Sequence, residues 1–131
     1  MIINVSAVFV SALVGFIIGF VWYTPKMFGS MWMKFSGTPD TKPSNVGLRI
    51  FGGFVSMLVM STTLSIFIQA NPVQTPTGAL FVAFWAWLGF VAVVTFGVFL
   101  WERKPFQLWL LNSSHWLVVM LVMGYILGLW R

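Results

Sequence analysis

Residues 107–130 read QLWLLNSSHWLVVMLVMGYILGLW, twenty-four consecutive positions without a Lys, Arg, Asp or Glu. As an α-helix this stretch would run about 36 Å, enough to cross the roughly 30 Å hydrocarbon layer of a bilayer. A buried helix of a soluble domain has no need of such length. The rest of the chain repeats the signal. Of its 131 residues 60% are hydrophobic and 7% charged, against roughly 45–50% and about 25% in soluble domains, so too little charge is present to cover a soluble surface.

Three further apolar blocks of similar length precede this one, giving spans at about 2–23, 49–70, 77–101 and 107–130. All four are expected to be α-helices, because a segment crossing lipid must satisfy every backbone N–H and C=O internally. The first block lacks a basic start and is followed by Trp22-Tyr23 instead of a small-residue cleavage site, so it reads as a retained helix and not as a signal peptide. The fold class predicted is all-α integral membrane, one domain over residues 1–131.

Charge then orients the helices. Lys26, Lys34, Lys42 and Arg49 fall between the first and second spans, and Arg103 and Lys104 between the third and fourth, while NPVQTPTG between the second and third carries no charge. Six of the seven basic residues therefore share one side, which the positive-inside rule makes cytoplasmic. Both termini are expected outside, in the cell (plasma or inner) membrane, and so strong a bias disfavours insertion in two orientations. The net charge of +5 is accounted for by these topology signals, and a nucleic-acid partner is not expected.

The first cytoplasmic connection has a pattern of its own. Lys26, Ser30 and Lys34 recur every four residues, with Met27, Phe28, Met31, Trp32 and Phe35 opposite, which predicts a short amphipathic helix over about 25–36. Thr24 is its expected N-cap, Pro25 its first residue, and Gly37 with Pro39 its stop. Such a helix would lie at the interface with its lysines toward anionic lipid headgroups, or pack beneath the bundle.

Small residues at four-residue spacing mark where helices approach closely in lipid. Ala7, Ser11, Gly15 and Gly19 form such a row on the first helix, and Gly124 and Gly128 on the fourth. At 100° per residue Asn112 lies about 60° from His115, whereas Ser113, Gly124 and Gly128 lie some 140–180° away. The fourth helix thus has a polar side and a small side, which points to neighbours on both and to assembly with a second copy or another membrane protein.

His115, the only histidine, stands nine residues past Phe106, about 12–14 Å inside the membrane by helical rise. An intramembrane ionisable group is a functional candidate. A proton relay or cation site would need a carboxylate beside it, and both acids, Asp40 and Glu102, fall in connections. His115 is therefore expected neutral, donating a ring N–H to a hydroxyl, amide or carbonyl of a neighbouring helix. Metal binding lacks ligands, with one His and no Cys, and Ser113 and Ser114 point away from His115, which argues against a catalytic triad. No enzyme activity and no cofactor are expected. The hydroxyls of Ser61, Thr62 and Ser65 on the second helix could line a polar path with Asn112 and His115, or bond to carbonyls of their own helix. Trp22, Tyr23, Pro25, Trp32, Glu102 and Arg103 read as interfacial residues, the last pair forming a local ion pair.

Several of these features occur together elsewhere. Trp22-Tyr23-Thr24-Pro25, Phe28-Gly29 and Trp32 after the first helix, then Glu102, Arg103 and Pro105, then Asn112, His115, Gly124 and Gly128 in the last helix, make the chain resemble over nearly its whole length the small membrane proteins known as domain of unknown function 1761. The resemblance implies four transmembrane helices, and it singles out Trp22, Tyr23, Pro25, Glu102, Arg103, Asn112 and His115. It implies no activity. Taken with the residues, it leaves two expectations: a non-catalytic protein acting through homo-oligomerisation or as an accessory subunit, or a small transporter or channel using the Asn112 and His115 path.

Overall fold

The computed structural model describes residues 1–131 and is all-helical. Four helices are long and apolar enough to cross a membrane: α1 (Val5–Trp22), α3 (Val46–Ala70), α4 (Pro76–Trp101) and α5 (Phe106–Leu129). A short helix, α2 (Gly29–Ser36), follows α1.

The helix ends follow from local chemistry. Asn4 caps α1 by accepting from the Ala7 N–H at 3.1 Å, and Thr75 caps α4 by accepting from the Gly78 N–H at 3.1 Å, with Pro76 in the first turn. Those polar side chains take up N–H groups that a helix leaves unpaired. Helix α3 begins three residues before the expected Arg49, launched from Asn45 in a left-handed conformation (φ 56°).

The α2 helix starts later than its sequence pattern implied. Residues 25–28 form a turn in which Phe28 N–H donates to the Trp22 carbonyl and Gly29 N–H to the Thr24 carbonyl. Thr24 is not an N-cap; its hydroxyl donates back to Val21 O at 2.8 Å. The chain doubles back so tightly that a Cβ on Gly29 would collide with the Tyr23 carbonyl, and only glycine fits. The predicted stop is correct: Gly37 closes α2 with φ 75°. Trp32, Met33 and Phe35 are partly covered while Ser30 and Lys34 are exposed, and α2 packs against the first turns of α5.

Helix α5 is the most buried of the four spans and touches α1, α3 and α4. On one side Gly124 and Gly128 let α4 approach: a Cβ on Gly124 would stand 2.8 Å from the Ala83 Cβ, and one on Gly128 2.6 Å from the Ala79 Cβ. On the other, the Ala7, Ser11, Gly15, Gly19 row of α1 lies against α3 and α5, with Gly15 beside Met123 and Val119 and Gly19 beside His115. Both specialised sides of α5 are thus filled within one chain. The two-sided pattern is explained by a central helix, and it carries no inference of a second copy.

Helix α4 is interrupted. Leu88–Ala92 is a π-helical turn, after which the α-helix resumes and passes through Phe96, whose N–H donates to Ala92 O at 3.1 Å. Side chains attend the loosened backbone, Thr95 Oγ1 donating to Val91 O at 2.6 Å and Trp109 Nε1 to Ala92 O at 2.9 Å. Insertions of this kind recur at functional positions.

Since α1 and α4 end where α3 and α5 begin, both basic connections gather at one end of the bundle, called here the basic end. In place of the expected Glu102 and Arg103 pair, the α4–α5 connection is held by Lys104 Nζ donating to the Ser36 carbonyl at 2.8 Å, and Arg103 takes a left-handed φ of 57°.

Candidate functional site

At the basic end the end of α1 and α5 meet around His115, with α2 behind Tyr23. The side chain of Tyr23, one residue past α1, crosses to α5 and its hydroxyl donates to Asn112 Oδ1 at 2.7 Å. Its ring lies 5.0 Å from the His115 ring, while Trp116 and Trp22 approach the imidazole at 4.7 and 5.9 Å. Trp32 of α2 meets Tyr23 edge-on at 5.9 Å. Burial pushes the Tyr23 hydroxyl up to about 12, so it remains a protonated donor.

His115 is only 3% exposed, and neither ring nitrogen has a hydrogen-bond partner in the protein. The expected bond to a neighbouring helix is therefore not made, and the facing helix gives the physical reason. Across the helix interface stands Gly19, where even a Cβ would be 3.3 Å from Nε2, so α1 offers no side chain there. Leaving a buried polar group unpaired costs about 1–3 kcal/mol. His115 stands beside the last turn of α1, and the first turns of α5 extend past that end, where α2 packs.

The hydroxyls of α3 belong elsewhere. Ser61 bonds to Ser11 and donates to Val8 O at 3.0 Å, tying α3 to the opposite half of α1, two turns from Gly19. Thr62 donates to Leu58 O at 2.7 Å, and Ser65 accepts from Gln69 at 3.4 Å. The polar path of Asn112, His115, Ser61, Thr62 and Ser65 is therefore not assembled; helix self-bonding and an interhelical clasp consume its α3 members. Ser113 faces away, buried toward α4, where its carbonyl accepts from Trp87 Nε1 at 2.8 Å.

What the structure assembles instead is a cleft of about 810 Å³ between the end of α1, α2, the first turn of α3, α4 and α5. Its walls are aromatic, with Tyr23, Trp32, Trp109 and Trp116, and its polar groups are Asn112, Thr95 and Arg49. No carboxylate lines it. With Oδ1 engaged by Tyr23, Asn112 has its amide N–H groups to offer, and Arg49, whose Nε donates to Ser44 O at 3.0 Å, keeps its terminal guanidinium nitrogens. The lining therefore combines aromatic faces with hydrogen-bond donors and one cation.

Of the residues expected at the interface, Tyr23 and Trp32 become walls of this cleft and Trp22 backs the imidazole; Pro25, Glu102 and Arg103 stay in the connections. Sequence reasoning missed Arg49, Thr95, Trp109 and Trp116. A signal existed for two of them: Trp109, Asn112 and Trp116 follow one another at three and four residues and so share a helix face with one polar group. Arg49 and Thr95 carried none, since they arrive from other helices.

No curated protein and no solved structure matches the chain. One family model matches residues 6–128, nearly the whole chain, and the chain belongs to the family described as Protein of unknown function (DUF1761).

Proposed function

We propose that this chain is a non-catalytic membrane protein that binds a small, largely apolar ligand in the aromatic cleft at its basic end. The observation that carries this reading is the donor-rich, carboxylate-free lining: Asn112, held by Tyr23, and Arg49 stand among Tyr23, Trp32, Trp109 and Trp116. Pockets of this size with a few placed polar groups in an apolar wall are the usual form of small-ligand sites. The basic end is assigned to the cytoplasmic face of the cell membrane, with both termini outside, on the strength of six of the seven Lys and Arg being gathered there.

Movement of that ligand through the membrane is a second reading, favoured by one observation. Helix α4 carries a π-helical turn at Leu88–Ala92, just before the cleft residue Thr95, and helices bend at such turns, which recur at functional sites.

The test is mass spectrometry of small molecules released on denaturing the purified protein. A conjugated or aromatic compound, stoichiometric with the wild-type chain and lost from Asn112→Leu and Trp116→Ala, is expected. Equal recovery from wild type and from folded variants would overturn the reading.

A further inference from the structure

A second concavity opens on the other side of Tyr23 and Arg49, between α1 and α3, with a volume of about 550 Å³. Its walls are Phe16 and Phe20 from α1 and Ile50 and Met57 from α3. Two glycines, Gly19 and Gly53, deepen it; a Cβ on Gly53 would already lie 3.3 Å from the Phe16 ring. Phe20 and Ile50 are 54% and 43% exposed, so the groove is open along the lipid-facing side. From Val46 to Met57 it follows α3 for about 16 Å, about half the hydrocarbon thickness and so the depth of one leaflet.

Its mouth has a different character. Lys42 and Arg49 stand there together. Neither acid of the chain, Asp40 or Glu102, lines the groove. Arg49 spends Nε on the Ser44 carbonyl, which fixes the stem and leaves the rest of the fork for an anion. Two uncompensated cations at headgroup level above an apolar slot one leaflet deep match an amphiphile with one negative head and an extended chain.

We propose that this groove holds one anionic phospholipid, its phosphate bound by Lys42 and Arg49 and one acyl chain lying between α1 and α3 over Gly19 and Gly53. The groove lies across Tyr23 and Arg49 from the aromatic cleft and shares those two residues with it, but the proposal does not rest on the function proposed for the cleft. Tyr23 and Arg49 border both, so the lipid would form part of the wall between them.

Native mass spectrometry in mild detergent, titrating phosphatidylglycerol against phosphatidylcholine of the same acyl composition, tests the assignment. One phosphatidylglycerol per chain is expected, preferred by about fivefold for each cation contributing, with the preference weakening as salt rises. The double variant Lys42→Gln with Arg49→Gln should bring phosphatidylglycerol down to the level of phosphatidylcholine. Gly53→Leu, which fills the slot, should remove retention of both, whereas Phe81→Leu on the outer face of α4 should change neither. Equal retention of the two lipids by the wild type overturns the proposal, as does undiminished phosphatidylglycerol in the double variant. A lipid-free dimer dissociated by Gly53→Leu would put a second copy in the groove and overturn it too. If Gly53→Leu does not fold, the surface charge variants decide alone.

Discussion

The Tyr23 hydroxyl at the end of α1 donates to Asn112 Oδ1 on α5 over 2.7 Å, closing a loop of 89 positions in sequence with one hydrogen bond. Everything near the site depends on where that bond holds two side chains: Asn112 presents its amide toward the cleft, and His115, one turn on, is left with rings for neighbours. The bond also ends α1 against α5, so that the turn at residues 25–28 can deliver α2 to the outer side of the same cleft.

Tyr23→Phe is expected to destabilise the chain by about 0.6 kcal/mol, and by no more than about 1.7, the range of interhelical hydrogen bonds measured within membranes. Asn112→Leu should cost a similar amount, and the two together less than their sum, because they remove one bond. Unfolding of the four proteins in mixed micelles checks this; strict additivity would mean that the bond contributes nothing.

The phenol has a pH signature. Its pKa is raised from 10.0 to about 12, so the folded chain holds the proton longer than the unfolded one. The associated stability is full below pH 10 and is lost as pH rises toward 12. In a Tyr125→Phe background, which leaves Tyr23 as the only tyrosine, tyrosinate absorbance should develop near pH 12 and not near 10.

His115→Phe is expected to preserve or raise thermal stability, since it keeps a ring among Trp22, Tyr23 and Trp116 and removes two nitrogens without partners. His115→Ala should cost on the order of 2 kcal/mol through the cavity it leaves. A fall in melting temperature for Phe as large as that for Ala would show that a hydrogen bond, and not packing, fixes the residue.

Gly124→Ala should loosen α4 from α5 at a cost of about 1–3 kcal/mol, because the new methyl meets the Ala83 Cβ at 2.8 Å and the Ala79 carbonyl at 3.3 Å. Ala83→Gly in the same chain relieves the first contact and should restore part of the loss. Absence of any rescue in a thermal melt would place the interface elsewhere.

Ser61→Ala removes a hydroxyl that bonds both Ser11 and the Val8 carbonyl, and is expected to cost about 0.6–1.7 kcal/mol without altering ligand or lipid retention. Loss of retention in this variant would restore Ser61 to the functional site.

Sequence alone determined the four spans to within a few residues, the short helix that follows the first, its glycine stop and the faces on which glycines pack. Those features depend on one-dimensional quantities: the length of an uncharged run, the spacing of small residues, and a glycine where a helix must stop. It also marked Asn112, His115, Tyr23 and Trp32. Which of them touch was decided in three dimensions. The partner of Asn112 is 89 positions away and arrives only because α1 stops level with the second to third turn of α5. The same geometry leaves His115 without the hydrogen bond its chemistry predicts, because the facing residue is a glycine, and diverts Ser61 to a clasp with Ser11. The π-helical turn in α4 belongs to this class as well: no proline marks it, and Thr95 and, from the next helix, Trp109 donate to the Val91 and Ala92 carbonyls at its end. Hydrophobic periodicity specifies that each helix exists and which side is small. The rotation and relative height of the helices arise from how those sides interlock, and the cleft is the space that interlocking leaves.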